Sequence, residues 1–287
     1  MNISAVPTVT LNDGTEMPQI GLGTWKLHDD EAVRVVREAI AAGYRHIDTA
    51  ALYGNEEAVG RGIRDAIAAG DVTRDELFVT TKLLNEDQGS QRAQEAFRES
   101  LGRLGLEYID LYMVHWPWPQ RGLYVESFEA IAKLQGLGVV QSVGVANFYE
   151  EVLRELIERT GVFPAVNQVE LHPGFSQAGL RALHEELGIV TEAWAPLGRG
   201  IVLMNPVLDD IAIRVGRTPA QVALRWLLQL GCSAVPKTAH AGRLAANLDL
   251  ASFKLTRDQM DAITALDDAA GFGRIFADPR EYPGEVG

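Results

Sequence analysis

Four side chains suited to acid-base chemistry each lie at or just after the end of a short apolar run in the first half of the chain. They are Asp48, Tyr53, Lys82 and His115. If the runs are parallel strands, their carboxyl ends meet at one edge, and these groups converge there. A lysine desolvated beside a carboxylate, with a phenol and an imidazole nearby, is typical of a tuned acid-base site.

Other interpretations of these residues remain open. Taken singly, Asp48 could cap a loop, and Lys82 could be a surface charge. Tyr53 could be a loop aromatic, and His115 a hydrogen-bonded core imidazole. Paired carboxylates chosen from Asp48, Glu170 and Glu192 could support glycoside hydrolysis. We predict no metal site, because His115, Glu170 and His172 do not have a recognised ligand spacing.

The elements that would position these residues alternate regularly along the chain. Eight apolar runs predict strands: Ile20 to Gly23, His46 to Asp48, Phe78 to Lys82, Ile109 to His115, Val140 to Ala146, Ala165 to Glu170, Val190 to Ala195 and Ser233 to Pro236. Segments of helical period separate them: Asp29 to Ala42, Glu56 to Ala69, Gln91 to Leu104, Tyr124 to Gly136, Glu150 to Arg159, Gln177 to Leu187, a region from Pro206 to Leu230, and Ala241 to Leu248. This α/β pattern predicts a (β/α)8 TIM barrel.

Three further segments lie outside the eightfold pattern. Asn12-Asp13-Gly14 is a tight-turn signal between Thr8 to Leu11 and Glu16 to Pro18, which predicts an N-terminal β-hairpin that plugs the bottom of the barrel. An extra C-terminal helix, Thr256 to Leu266, and a tail, Gly271 to Gly287, follow the last unit. We expect one domain, residues 1–287.

Composition and charge narrow the function classes. The 287 residues carry a net charge of −13, which argues against nucleic-acid binding because phosphate backbones attract clustered cations. No apolar run is long enough to span a membrane, and the first ten residues do not resemble an export signal. The single cysteine, Cys232, fits a reduced compartment. We therefore expect a cytoplasmic protein. We also expect it to be a monomer.

Cations near the end of the chain suggest an anion site. Val235-Pro236-Lys237-Thr238 ends the last predicted strand, and Arg243 and Asn247 lie on the following helix. Barrels commonly bind phosphate after their seventh and eighth strands. The alternative is a solvated helix start.

The chain resembles the aldo-keto reductases over nearly its whole length. The matching motifs, in order, are Gly21-Leu22-Gly23-Thr24-Trp25, Gly43-Tyr44-Arg45-His46-Ile47-Asp48-Thr49-Ala50, Tyr53-Gly54-Asn55-Glu56, Thr80-Thr81-Lys82, Asp110-Leu111-Tyr112, His115-Trp116-Pro117, Gly144-Val145-Ala146-Asn147-Phe148, Asn167-Gln168, Glu170-Leu171-His172-Pro173 and Val235-Pro236-Lys237-Thr238. Glu192-Ala193-Trp194, Pro196-Leu197-Gly198 and the short tail resemble the bacterial 2,5-diketo-gluconate reductase group.

The resemblance implies an oxidoreductase that reduces aldehydes, ketones and α-dicarbonyls with NADPH. It makes Tyr53 the general acid, Lys82 and Asp48 its supporting pair, and His115 the donor that orients the carbonyl. A phenol of pKa roughly 10 can protonate a nascent alkoxide, and an ammonium stabilises the phenolate left behind. A binding-only regulatory subunit remains the non-enzymatic alternative.

The resemblance also assigns cofactor and substrate contacts. Asn147 and Gln168 match carboxamide ligands, and Trp194 matches the ring that stacks on the nicotinamide. The ribose and pyrophosphate positions are Thr24, Trp25, Leu197 and Gly198, and the adenosine 2′-phosphate positions are Lys237, Thr238 and Arg243. Gly23 and Asn247 are further cofactor-binding positions. The implied substrate contacts are Trp25, Leu52 and Trp116.

Two positions depart from the family pattern. Ala146 replaces a frequent Ser, which removes one carboxamide hydrogen bond, and Ala246 replaces a frequent Glu at the adenine. We expect the tail to complete the mouth of the pocket. Small activated aldehydes and α-dicarbonyls are the expected substrates, with a high KM for sugar-derived diketo acids unless Arg274 or Arg280 supplies a cation.

Overall fold

Parallel strands form the centre of the molecule in a computed structural model that describes residues 6–269, 271 and 273–281. The strands are β1 (Thr8–Thr10), β2 (Glu16–Pro18), β3 (Leu22–Gly23), β4 (His46–Asp48), β5 (Phe78–Leu83), β6 (Ile109–Val114), β7 (Val140–Ala146), β8 (Val166–Glu170), β9 (Val190–Trp194) and β10 (Ser233–Ala234). Strands β3 to β10 pair in chain order. The expected domain and tail extend beyond these described residues at both ends of the chain.

Backbone contacts between the first and last barrel strands close the sheet. Ile20 forms a parallel bridge with Ala234, and the Gly21 N–H donates to the Ala234 carbonyl at 2.9 Å. Closure removes the open sheet edges and brings all strand ends to two rims. The predicted (β/α)8 barrel is confirmed.

Helices cover the outside of the barrel. They are α1 (Asp29–Ala42), α2 (Glu56–Ala68), α3 (Ser90–Leu104), α4 (Tyr124–Gln135), α5 (Glu150–Thr160), α6 (Ala178–Leu187), α7 (Pro206–Val215), α8 (Pro219–Gln229), α9 (Ala241–Leu248) and α10 (Arg257–Thr264). In α1, buried residues recur at helical spacing, from Ala32 through Val35, Val36 and Ala39 to Ile40, and face the core. None of the described helices is long and apolar enough to cross a bilayer.

The region predicted as one helical stretch from Pro206 to Leu230 contains two helices. Gly216 has φ 66°, which ends α7, and Thr218 begins α8 with a reciprocal side-chain cap to Gln221. A short 3-10 segment, Gly198–Met204, precedes α7 and was not predicted.

The N-terminal hairpin covers the lower end of the barrel, as predicted. Strands β1 and β2 pair antiparallel around Gly14, whose φ of 89° suits the tight turn. Met17 is fully buried in one cluster with Phe78 and Leu111 from the barrel strands. The lower end is therefore packed with apolar side chains, and polar groups collect at the upper end.

Candidate active site

A cavity of about 440 Å³ opens at the carboxyl ends of the strands. Its wall combines aromatic rings, amides, three cations and loop backbone, contributed by Gly23, Thr24, Trp25, Asp48, Leu52, Tyr53, His115, Trp116, Asn147, Gln168, Trp194, Ala195, Pro196, Leu197, Arg199, Gly200, Leu203, Val235, Pro236, Lys237, Arg243 and Phe276. Three of the four predicted acid-base residues line it. Lys82, the fourth, is fully buried behind them.

Lys82 and Asp48 form a buried ion pair beneath the cavity. The Lys82 ammonium donates to Asp48 Oδ1 at 2.8 Å and Oδ2 at 2.7 Å, and to the Thr49 carbonyl at 2.9 Å. Burial alone would lower the pKa of Lys82, but the charge of Asp48 and its hydrogen bonds to the ammonium help to outweigh it, so the pKa lies above its ordinary value. The lysine is an ammonium at neutral pH.

Tyr53 lies at the end of a 3-10 turn, Ala51–Tyr53, that follows β4. The turn is held by Asn55, whose amide donates to the carbonyls of Thr24 and Leu27 at 2.8 Å each. This places the Lys82 ammonium 5.2 Å from the centre of the Tyr53 ring. The Tyr53 phenol therefore lines the cavity, and the Lys82 ammonium lies close to its ring on the buried side.

His115 completes the floor of the cavity, with its ring centre 5.8 Å from that of Tyr53. Burial, aided by the Lys82 charge, holds the pKa of His115 well below its ordinary 6.5. Burial also raises the pKa of Tyr53 above 10, although Lys82 opposes this. At neutral pH the site therefore presents a neutral imidazole and a protonated phenol.

Two amides and an indole form the wall beside these groups. The Gln168 Nε2 donates to Asp48 Oδ2 at 2.9 Å and to Glu192 Oε2 at 2.6 Å. The Trp194 indole N–H donates to Asn147 Oδ1 at 2.8 Å. This wall offers an aromatic face together with polar amide groups, the chemistry that a nicotinamide requires.

Unpaired cations stand elsewhere on the cavity wall. Lys237 follows β10 and Arg243 lies on α9, and neither forms an ion pair or side-chain hydrogen bond with another described residue. The chain approaches closely here, since a Cβ at Gly23 would lie 2.6 Å from the Val235 carbonyl oxygen. In a protein of net charge −13, two such cations beside one cavity fit a phosphate group.

Three predicted cofactor residues do not line the cavity. Gly198 is buried, the Thr238 hydroxyl accepts from the His240 N–H at 3.2 Å, and buried Asn247 contacts Tyr44. Conversely, Arg199 and Phe276 line the cavity without having been predicted. Arg199 has positive φ at a break in the 3-10 segment, and Phe276 is distant in sequence, so neither gave a local pattern signal.

The described part of the tail forms one side of the mouth. Buried Glu170 accepts the backbone N–H groups of Ile275 at 2.5 Å and Phe276 at 3.1 Å. The Phe276 ring lies 5.8 Å from both Trp116 and Trp194. The tail is thus fixed to the rim by a carboxylate at the end of β8.

Neither tail arginine supplies the cation considered for diketo acids. Arg274 stacks over Phe175, and Arg280 pairs with Glu151 at 3.2 Å, both outside the cavity lining. Arg199 does line the cavity near the mouth, and its guanidinium lies 5.0 Å from the centre of the Trp25 ring.

The carboxylates proposed for glycoside hydrolysis are engaged elsewhere. Asp48 is the one described carboxylate in the lining, and it is paired with Lys82. Glu170 holds the tail, and Glu192 is fully buried beneath Gln168. The described residues therefore offer no facing acid and nucleophile across the cavity.

Comparisons with known proteins are consistent with this site. The model of the Aldo/keto reductase family matches residues 19–268. An aldo-keto reductase of Mycolicibacterium vanbaalenii is 51% identical over 281 residues, covering 98% of each chain. Among solved structures, a mutant of Gox0644 in complex with NADPH has a TM-score of 0.91 at 45% identity, covering 97% of this chain and 99% of the other. A Bombyx mori aldo-keto reductase in complex with NADP has a TM-score of 0.86 at 38% identity, covering 92% and 93%.

Proposed function

The chain belongs to the aldo/keto reductase family, and from that premise we propose that it reduces aldehydes, ketones and α-dicarbonyls to alcohols with NADPH. The observation that carries the proposal is the protonated Tyr53 phenol held between buried Lys82 and neutral His115 at the cavity floor. NADPH consumption in the presence of a panel of carbonyl compounds tests it.

Within the family, Glu192-Ala193-Trp194 and Pro196-Leu197-Gly198 support the bacterial 2,5-diketo-gluconate reductase group. We propose a cytoplasmic monomer of one domain. Its single cysteine, Cys232, is buried and free, as a reducing compartment allows.

Each residue at the cavity floor has a separate role in proton transfer. NADPH, when bound, supplies the hydride. Tyr53 gives the proton of its hydroxyl to the oxygen of the substrate carbonyl as that oxygen gains charge. Lys82 stabilises the phenolate that remains, and Asp48 keeps Lys82 charged and oriented. His115, as a neutral imidazole, donates a hydrogen bond that orients the carbonyl oxygen.

The cavity wall supplies groups suited to each part of the cofactor. The Trp194 ring would stack on the nicotinamide, whose carboxamide would meet Asn147 and Gln168. The ribose and pyrophosphate would meet Gly23, Thr24, Trp25 and Leu197 on the wall, and Gly198 follows Leu197 outside the lining. Lys237 and Arg243 would hold the 2′-phosphate, whereas Thr238 and Asn247 are buried outside the lining.

The mouth of the cavity favours small substrates with reactive carbonyl groups. Trp25, Leu52, Trp116 and Phe276 present an apolar surface around the polar floor. Such a wall gives broad recognition, because it contributes burial more than directed hydrogen bonds. Aldehydes and α-dicarbonyls, which are activated toward hydride attack, are the substrates we propose.

Replacing Lys237 with Met is expected to weaken NADPH binding by about ten- to a hundredfold. A charge-assisted hydrogen bond to the 2′-phosphate contributes about 1.5–3 kcal/mol to binding. NADH has no 2′-phosphate, so its Kd should not change. Tryptophan fluorescence titration with both nucleotides gives the two Kd values. Lys254→Met, which changes an exposed cation outside the cavity, is the control. Equal losses for NADPH and NADH would contradict the assignment of Lys237 to the 2′-phosphate.

We expect kcat for carbonyl reduction to stay constant between about pH 6.5 and pH 9. Tyr53 must be protonated to act, and its pKa is raised above 10, so the active form is lost only at higher pH. His115 must be neutral, and its pKa lies well below 6.5, so that form is lost only at lower pH. Steady-state kinetics at saturating NADPH measure the profile. A fall in kcat centred inside this range would show that one of the two groups titrates there.

A further inference from the structure

Buried Glu192 lies directly beside the Gln168 amide. The two residues are opposite each other in the register of β8 and β9, and Ser233 is opposite Glu192 on β10. Glu192 Oε2 accepts from Gln168 at 2.6 Å, and Oε1 accepts from the Ser233 hydroxyl at 3.2 Å, with His46 at 3.8 Å. A wholly buried carboxylate thus has a defined set of partners beneath the cavity.

The orientation of the Gln168 amide follows from its neighbours. Both hydrogens on Nε2 go to carboxylates, one on Asp48 and one on Glu192. Turning the amide over would direct a lone pair of Oε1 at the Asp48 carboxylate, which is paired with the Lys82 ammonium and accepts hydrogen bonds but does not donate them. Oε1 accepts no hydrogen bond from the described part of the chain. It is also accessible from the cavity, which Gln168 lines. Gln168 therefore presents an acceptor.

The Asn147 amide is fixed in the opposite sense. An indole N–H can only donate, so the Trp194 contact of 2.8 Å requires Oδ1 at that position. Nδ2 then donates one hydrogen to the His115 carbonyl at 3.0 Å. Its second hydrogen is left for a ligand, and Asn147 therefore presents a donor to the same cavity.

We propose that Glu192 and Trp194 are positioning residues that fix these two amides, so that the site recognises a carboxamide in preference to a carboxylate. The inference rests on the proposed binding of a nicotinamide nucleotide. A carboxamide offers one acceptor and one donor, which match Asn147 and Gln168. A carboxylate offers two acceptors and no donor, so one of its oxygens would face the lone pairs of Gln168 Oε1 without a hydrogen bond between them. Ala146, opposite Gln168 on β7, has no hydroxyl to share this recognition.

The test compares NADP⁺ with nicotinic acid adenine dinucleotide phosphate, which carries a carboxylate in place of the carboxamide. Tryptophan fluorescence titration gives both Kd values, without turnover. The unaltered protein should prefer NADP⁺ by about tenfold or more, since a mismatched buried polar group is costly. Glu192→Gln places a second amide there, which can accept or donate, and should reduce the preference at least threefold. Trp194→Phe keeps a ring but loses the N–H and should do the same.

Ser233→Ala is the matched control, because it removes the hydroxyl that donates to Glu192 Oε1 and leaves the Gln168 side chain unaltered. It should keep the preference within twofold. A preference below threefold in the unaltered protein would overturn the inference, and a variant that keeps the original preference would overturn the role of its residue. If Glu192→Gln does not fold, the preferences of the unaltered protein and of Trp194→Phe still test whether the two amides are held in a fixed orientation. Failure of the proposed function would look different, because NADP⁺ itself would show no saturable binding.

Discussion

Replacing Tyr53 with Phe is expected to lower kcat for carbonyl reduction by about three orders of magnitude, while the Kd for NADPH changes less than twofold. The substitution removes the hydroxyl that gives up the proton and keeps the aromatic ring. Positioned general acids typically contribute about 10²- to 10⁴-fold to a rate. Steady-state kinetics and fluorescence titration on the same preparation separate the two effects.

Tyr108→Phe is the control for this substitution. Tyr108 lies outside the cavity lining, where Arg74 stacks over its ring, so the same chemical change should leave kcat unaltered. A Tyr53→Phe protein with kcat within tenfold of the unaltered enzyme would show that another group protonates the alkoxide.

Replacing Lys82 with Met is expected to lower kcat by at least about a hundredfold and to destabilise the fold. The phenolate of Tyr53 would lose the cation that stabilises it. Asp48 would be left as a buried charge without its partner, a change that costs about 3–5 kcal/mol. Chemical denaturation measures the free energy of unfolding, and kinetics below the transition measure kcat.

The double variant Asp48→Asn, Lys82→Met separates these two consequences. Removing the unpaired carboxylate should recover much of the stability, because a neutral amide replaces a buried charge. It should not recover kcat, because the ammonium is still missing. Recovery of both quantities would mean that Lys82 acts on the fold alone, and would remove it from the proton-transfer step.

The elements with strong local patterns were predicted closely. Helix α1 was predicted over its observed bounds, because its apolar positions recur at helical spacing and Gly43, with φ 108°, ends it. Strand β4 was likewise predicted as His46 to Asp48. The barrel fold predicts that Asp48, Tyr53 and His115 share one rim, because the carboxyl ends of all parallel strands, and the short turns that follow them, lie on the same side of the barrel.

Features that depend on distant contacts were not predictable. Phe276 reaches the cavity because Glu170 binds the tail backbone, a contact between residues more than 100 positions apart. Arg199 lies at a break in the 3-10 segment Gly198–Met204, where it and Gly200 have positive φ, and such a break has no periodic pattern. Glu192 was interpreted from sequence as a possible hydrolytic carboxylate, and its actual neighbours, Gln168 and Ser233, are cross-strand partners that only the register identifies.

The central claim is that the protein transfers hydride from NADPH to a carbonyl carbon and a proton from Tyr53 to its oxygen. The most direct test incubates the purified protein with NADPH and an α-dicarbonyl or activated aldehyde, and measures both loss of reduced-nicotinamide absorbance and formation of the alcohol. The prediction is one alcohol formed for each NADPH consumed, with both signals lost in Tyr53→Phe although NADPH still binds. Saturable NADPH binding by the unaltered protein without consumption, across a panel of such carbonyl compounds, would contradict the proposed function.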